Sequence, residues 1–206
     1  MKRAYLLTAA AAAALSLAAC NKPATAPATD AAADAAATAN QPVNAAQDAV
    51  GAAVGQTSAA TLGSHDTGAF VSNASQSDMY EIEAGKIAST RGKNADVKAF
   101  GKMMVSDHTA MSNEMKPLIA AAGQTPADKL DERRQGFLDN LKQATDANFD
   151  KTYIDQQVAA HGEALTLLQG YADDGADAGL KAGAGKAVPK VQAHLDKAKS
   201  IQAALK

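Results

Sequence analysis

From about residue 66 to the C-terminus, apolar residues recur at alternating spacings of three and four, which is the period of an amphipathic α-helix. Glycines and cap-forming side chains divide this pattern into four long helices and one short, highly charged helix. The predicted helices span residues 68–90, 95–122, 127–144, 149–173 and 177–205. The pattern therefore predicts an all-α four-helix bundle with one additional short helix between the second and third long helices.

The short helix leaves two topologies open. If it carries the chain back along much of the bundle, the helices over 95–122 and 149–173 run parallel, as in bundles with one long crossover. If it only extends a turn, the four long helices alternate up and down. The spacing of apolar residues does not distinguish these arrangements.

The first 65 residues have a different character. Met1-Lys2-Arg3 precedes an apolar run and small residues, which is the order of a secretory signal, predicted over 1–19. Residues 20–65 are rich in Ala, Pro, Thr and Asn, so we predict a flexible tether there, with a marginal helix over 43–54. The folded domain is predicted over 66–206.

The junction after the signal contains the sole cysteine. Leu17-Ala18-Ala19-Cys20 resembles the lipobox of bacterial lipoproteins, in which the cysteine is diacylated and becomes the first mature residue. This predicts a cell-envelope protein held to a membrane by lipid on Cys20, and Asn21 favours the periplasmic side of the outer membrane. A single cysteine also excludes an intrachain disulfide.

The core-facing stripe of each long helix is apolar except at one position. These exceptions are Glu81, His108, His161 and His194. Counted from the connecting turns, the four positions lie about 16 to 27 Å along antiparallel helices, so their side chains are expected to meet near mid-bundle. His65, by contrast, is predicted to be exposed to solvent.

Three imidazoles and a carboxylate suit Zn, Cu, Fe or Mn, so we predict a metal site formed by these four residues. Asp107 is predicted to orient the ring of the adjacent His108 as a hydrogen-bond acceptor. Two alternatives stay open: a metal-free polar layer closed by internal hydrogen bonds and buried water, and a different ligand. Methionines on the histidine stripe would suit copper, although methionine is also a common core filler.

The composition narrows the range of functions that the chain is expected to have. The net charge is −2, and the chain has no basic block with interleaved aromatics, so we predict no nucleic-acid partner. Aromatic residues make up 4% and Trp is absent, which favours close-packed helices over a sheet. Neither a Ser-His-Asp order nor a phosphate-binding loop stands out, so a binding or structural role is favoured over an enzyme.

Several of these segments together resemble the domain-of-unknown-function 4142 family over residues 68–203. The resemblance lies in the run from Glu81 to Ala88, in Met104 to His108, in Phe149-Asp150 with Tyr153 and His161, and in Pro189 followed by His194. It implies an exported bacterial protein, often named as an outer-membrane protein, with a ferritin-like helical fold and no established reaction.

One difference from ferritin-like di-iron enzymes affects the expected chemistry. Those enzymes place a Glu three residues before a metal-binding His on two helices. Here the residues three before His108, His161 and His194 are all valines. The leading hypothesis is therefore an envelope binding module for one transition metal, and the second is a structural or stress-related lipoprotein with a metal-free layer.

Overall fold

The computed structural model describes residues 31–61, 63 and 65–205, with side chains from residue 44 onward. This part of the chain contains helices and their connections and confirms the all-α prediction. The six helices are α1 (Ala31–Ala60), α2 (Thr67–Arg91), α3 (Ala95–Ala121), α4 (Glu132–Gln143), α5 (Phe149–Asp174) and α6 (Ala178–Ala204). Among the described residues, no helix is both long and apolar enough to cross a lipid bilayer.

The N-termini of the long helices follow the capping residues in the sequence. Asp66 accepts a hydrogen bond from the Ala69 amide at 2.7 Å, and Asp177 accepts one from the Leu180 amide at 2.8 Å. Such caps satisfy backbone donors that have no partner inside the helix. The bounds of α2, α3, α5 and α6 consequently lie within a few residues of those predicted.

The short helix begins later than predicted, at Glu132 instead of residue 127. Asp131 caps it by accepting a hydrogen bond from the Arg134 amide at 2.7 Å. Two of the preceding backbone amides donate to side chains of α2: the Ala127 amide donates to Ser75 Oγ, and the Asp131 amide donates to Gln76 Oε1. Because side chains of α2 supply these acceptors, these two amides need no helical partners.

The bundle contains the long crossover. Phe70 at the start of α2 stacks on Tyr171 at the end of α5, with ring centroids 3.9 Å apart, so these helices are antiparallel. The Asn94 amide at the start of α3 donates to Asp150 at the start of α5, so α3 and α5 run parallel. The connection that contains α4 therefore carries the chain back along the bundle.

Helices α2 and α3 approach each other closely at one point. A Cβ atom built on Gly85 would lie 2.7 Å from the Gly101 carbonyl oxygen, and one built on Gly101 would lie 2.8 Å from the Gly85 carbonyl oxygen. No side chain fits between backbones at this distance. Because α2 and α3 are antiparallel, the contact also brings the preceding turn of α2, which contains Glu81, close to the part of α3 that leads to His108.

Helix α1 occupies a region that the sequence analysis assigned to a flexible tether over 20–65. Its C-terminal half lies against α4 and α5, where Gly55 and Ala59 are buried. Asp48 accepts hydrogen bonds from Asn140 Nδ2 at 2.7 Å and Gln156 Nε2 at 2.6 Å. The helical structure therefore begins well before residue 66, whereas residues 1–30, with the predicted signal and Cys20, lie outside the described residues.

Candidate metal centre

A layer of buried polar side chains separates two apolar clusters of the bundle. One cluster includes Phe100 and Ile154, and the other includes Met111 and Leu168. Between them lie His108, His161 and His194, whose side chains are at most 3% exposed. A buried imidazole without partners is costly, so the partners of each ring determine what this layer can do.

The three histidines come from three helices and face one another. Their ring centroids are 5.5 to 5.6 Å apart, so the rings form a nearly equilateral triangle. One potential ligand atom from each residue lies within 4.8 Å of those from the other two. His108 Nε2, His161 Nε2 and His194 Nδ1 have no hydrogen-bond partner among the described residues.

The other nitrogen of each ring contacts an oxygen atom. His108 Nδ1 lies 2.9 Å from Asp78 Oδ1, and His194 Nε2 lies 2.9 Å from Asp107 Oδ2. His161 Nδ1 lies 2.9 Å from the carbonyl oxygen of Gln157, one turn earlier in α5. Metal-binding histidines commonly have such an acceptor, which fixes the ring orientation.

The tautomer of His161 follows from its partner. A carbonyl oxygen only accepts hydrogen bonds, so Nδ1 must carry the hydrogen and Nε2 keeps its lone pair. Burial lowers the pKa of His161 well below its ordinary value, and the neighbouring His108 and His194 lower it further. The ring therefore stays neutral, which is the form that binds metal ions.

Burial also shifts the pKa values of His108 and of its partner Asp78. It lowers the pKa of His108 to about 3, with His194 adding to the effect, and raises the pKa of Asp78 to about 8. A protonated Asp78 would donate to Nδ1 and leave the hydrogen on Nε2. A cation at Nε2 favours the opposite arrangement, in which the ionised Asp78 accepts from Nδ1.

Glu81, the fourth predicted ligand, does not belong to the group of three. It is 1% exposed, and its Oε1 lies 3.6 Å from His161 Nδ1, the nitrogen already bonded to Gln157. Both of its oxygens and the side-chain amide of the adjacent Gln157 have no normal hydrogen bond within the described part of the chain. Burial raises the pKa of Glu81 to about 8, against the lowering effect of Gln157.

Two contacts differ from the predicted arrangement. Asp107 was expected to orient His108, its neighbour in sequence, but it contacts His194 on α6 instead, because side chains of consecutive helical residues point in directions about 100° apart. His108 is contacted by Asp78, which the sequence analysis missed. Asp78 lies three residues before Glu81 and thus on the same face of α2, and that spacing could have identified it. His65 is exposed, as predicted.

Comparison with known proteins places the chain in a family. The family model described as "Domain of unknown function (DUF4142)" matches residues 52–201. The chain belongs to this family. The match confirms the resemblance inferred from the spaced motifs, and it begins within α1, before the predicted domain boundary at 66. A search of curated proteins and a search of solved structures found no match.

The family description names no reaction, and the chemistry of the layer depends on its own residues. A triangle of neutral imidazoles presents lone pairs and no formal charge, which suits a borderline or soft transition metal better than Ca²⁺ or Mg²⁺. An ion held by three protein ligands would keep a fourth coordination position for water or another small ligand.

Proposed function

We propose that this protein binds one transition-metal ion through His108, His161 and His194. The observation that supports this function concerns the two nitrogens of each ring in the triangle. One nitrogen has an oxygen partner, and the other has no hydrogen-bond partner among the described residues. Three such nitrogens in one layer would each cost free energy unless something binds them.

In this proposal, three groups outside the histidine triangle orient its rings. Asp78, Asp107 and the carbonyl oxygen of Gln157 each hold one ring, so that the three free nitrogens keep a fixed relation before an ion arrives. Such contacts also raise the basicity of the imidazole ligands. Zn and Cu suit this donor set best, and Fe or Mn would need further oxygen ligands.

Glu81 has a different place in the proposal. It lies behind His161, on the side of Nδ1, and outside the group of three. A bound dication would favour its ionised form and partly offset the cost of burying that charge. Glu81 therefore balances charge in the proposal and is not a ligand.

The alternative is a structural envelope protein with a metal-free polar layer. In that case the free nitrogens would need buried water as partners. A direct test is metal analysis of the intact chain purified without a histidine tag, followed by calorimetric titration of the stripped protein with Zn and Cu. We expect one ion per chain, with binding abolished by His161→Gln and unchanged by the control His65→Gln. Absence of binding in the original chain would leave the structural alternative.

The location of the protein in the cell is a proposal from the sequence alone. Leu17-Ala18-Ala19-Cys20 supports a lipid anchor on the cell envelope, and Asn21 favours the periplasmic side of the outer membrane. In cells, the original chain should incorporate labelled palmitate and fractionate with membranes, whereas Cys20→Ala should do neither. Equal palmitate incorporation by the variant would contradict the anchor.

A further inference from the structure

Two cavities with shared lining residues lie between the histidine layer and the protein surface. The inner one has a volume of about 40 Å³ and is lined by Ser77, Asp78 and His108 together with apolar side chains. The outer one has a volume of about 380 Å³ and lies between α3 and α6, with exposed Glu114 at its rim. The two cavities share three lining residues, Met111, Met115 and Ala187.

The two methionines lie on the same face of α3 as the ligand His108. Their spacing from it is three and seven residues, which corresponds to roughly 4.5 and 10.5 Å along the helix axis. Met111 is 9% exposed and Met115 is half-buried, so exposure increases with distance from the layer. The thioether side chains of Met111 and Met115 thus line the cavities between the surface and the ring of His108.

We infer that this path admits copper as Cu(I), with Met115 and then Met111 as transient ligands before the ion reaches His108, His161 and His194. This inference rests on the proposed function. Thioethers bind Cu(I) well and Zn, Mn or Fe(II) poorly, so the path distinguishes metals that the imidazoles alone would not. Each step exchanges one copper ligand for another, without a change in oxidation state.

The charges at the outer cavity fit a soft monovalent ion. Lys186 Nζ lies 2.8 Å from Glu114 Oε2, and Lys190 Nζ lies 3.6 Å from Asp107 Oδ1. The two lysines balance the two carboxylates, so these four groups produce no negative field that would attract a hydrated dication. Entry would then depend on the sulfur ligands instead of electrostatic attraction.

The test compares loading rates of two metals. The stripped intact chain, without a histidine tag, is mixed under reducing conditions with Cu(I) held by the chromophoric chelator bicinchoninate, or with Zn held by a chromophoric zinc chelator. Met111→Leu and Met115→Leu, singly and together, remove the sulfurs at nearly constant volume. Met103→Leu is the matched control, because Met103 is half-buried on α3 and lines neither cavity.

We expect the double variant to take up Cu(I) at least tenfold more slowly than the original chain and Met103→Leu, with Zn uptake unchanged. The final Cu(I) affinity should stay within about threefold, since the three imidazoles remain. Equal Cu(I) rates, or a parallel loss of Zn uptake, would overturn the path while leaving the metal site intact. Failure of the original chain to take up either ion would overturn the proposed function itself. Should the double variant not fold, Met115→Leu alone must show the selective slowing.

Discussion

Asp107 Oδ2 lies 2.9 Å from His194 Nε2 and joins α3 to α6 beside the histidine triangle. Asp107 and His108 are consecutive in α3 but have different roles. His108 faces the layer with its own ring, while Asp107 contacts the ring of His194 on another helix. The orientation of His194 therefore depends on a contact between helices, whereas that of His161 depends on its own helix.

Removal of this contact should weaken metal binding without removing a ligand. We predict that Asp107→Ala lowers the affinity for Zn or Cu by about 10 to 100-fold, the usual effect of losing such an outer contact. Asp78→Ala should act similarly through His108. Competition with a chromophoric chelator measures the affinity, and Asp96→Ala, an exposed position on α3, serves as control. An unchanged affinity in both site variants would show that the aspartates do not orient ligands.

Much of the bundle was predictable from the sequence because its stripes have the helical period. On α3, Val97, Met104 and His108 fall on the stripe of helical period, and all three are buried. On α5 the prediction was too narrow, since Gln156 and Glu163 are also buried. That second buried face contacts α1 and α4. A prediction with one buried stripe for each of four helices does not include a second buried face.

Helix α1 was predicted only in part, as a marginal helix over 43–54 within the tether, and this has a physical reason. Its contacts depend on close approach instead of large apolar side chains: Val50 and Val54 are exposed, whereas Gly55 and Ala59 are buried. A segment rich in Ala and Gly has little apolar surface to bury, so composition predicted a tether. The polar contacts of Asp48 with α4 and α5 could not be inferred before the positions of those helices were known.

The stability of the metal-free protein should depend on pH in two opposite ways. The folded-state pKa of His108 is about 3, so the unfolded chain binds more protons below pH 6.5, and stability falls as pH decreases toward 3. The pKa of Glu81 is raised to about 8, so the folded state binds the extra proton between about pH 4.5 and 8, and stability falls as pH rises through that window.

A single variant separates these effects. Glu81→Gln keeps a neutral side chain of similar shape, so it should remove part of the stability loss between pH 6 and 8, on the order of 1 kcal/mol per pH unit. Chemical denaturation at several pH values in the presence of a chelator measures this difference, with Glu83→Gln at an exposed position as control. Parallel profiles for Glu81→Gln and the original chain would contradict a buried, neutral Glu81.

The last prediction concerns the contact of α1 with the bundle. Arg133 forms a two-bond ion pair with Glu163, at 2.8 and 2.7 Å, and Arg134 contacts the same carboxylate at 2.7 Å. Gly55 lies over this cluster, and a methyl group there would overlap Glu163 Oε2. Charges this buried must keep their partners, so they cannot move aside without cost.

Gly55→Ala should therefore weaken the docking of α1 by about 1 to 3 kcal/mol, although alanine favours helix formation by itself. Hydrogen exchange of the amides in residues 44–60 should become faster, while the amides of α3 and α6 keep their protection. Gly162→Ala on α5 is the matched control, because a Cβ atom there meets no atom of the described residues within 4 Å. That variant should be neutral or slightly stabilising. If Gly55→Ala slowed exchange in α1, intrinsic helix propensity would outweigh the overlap, and the close contact with Glu163 would be excluded.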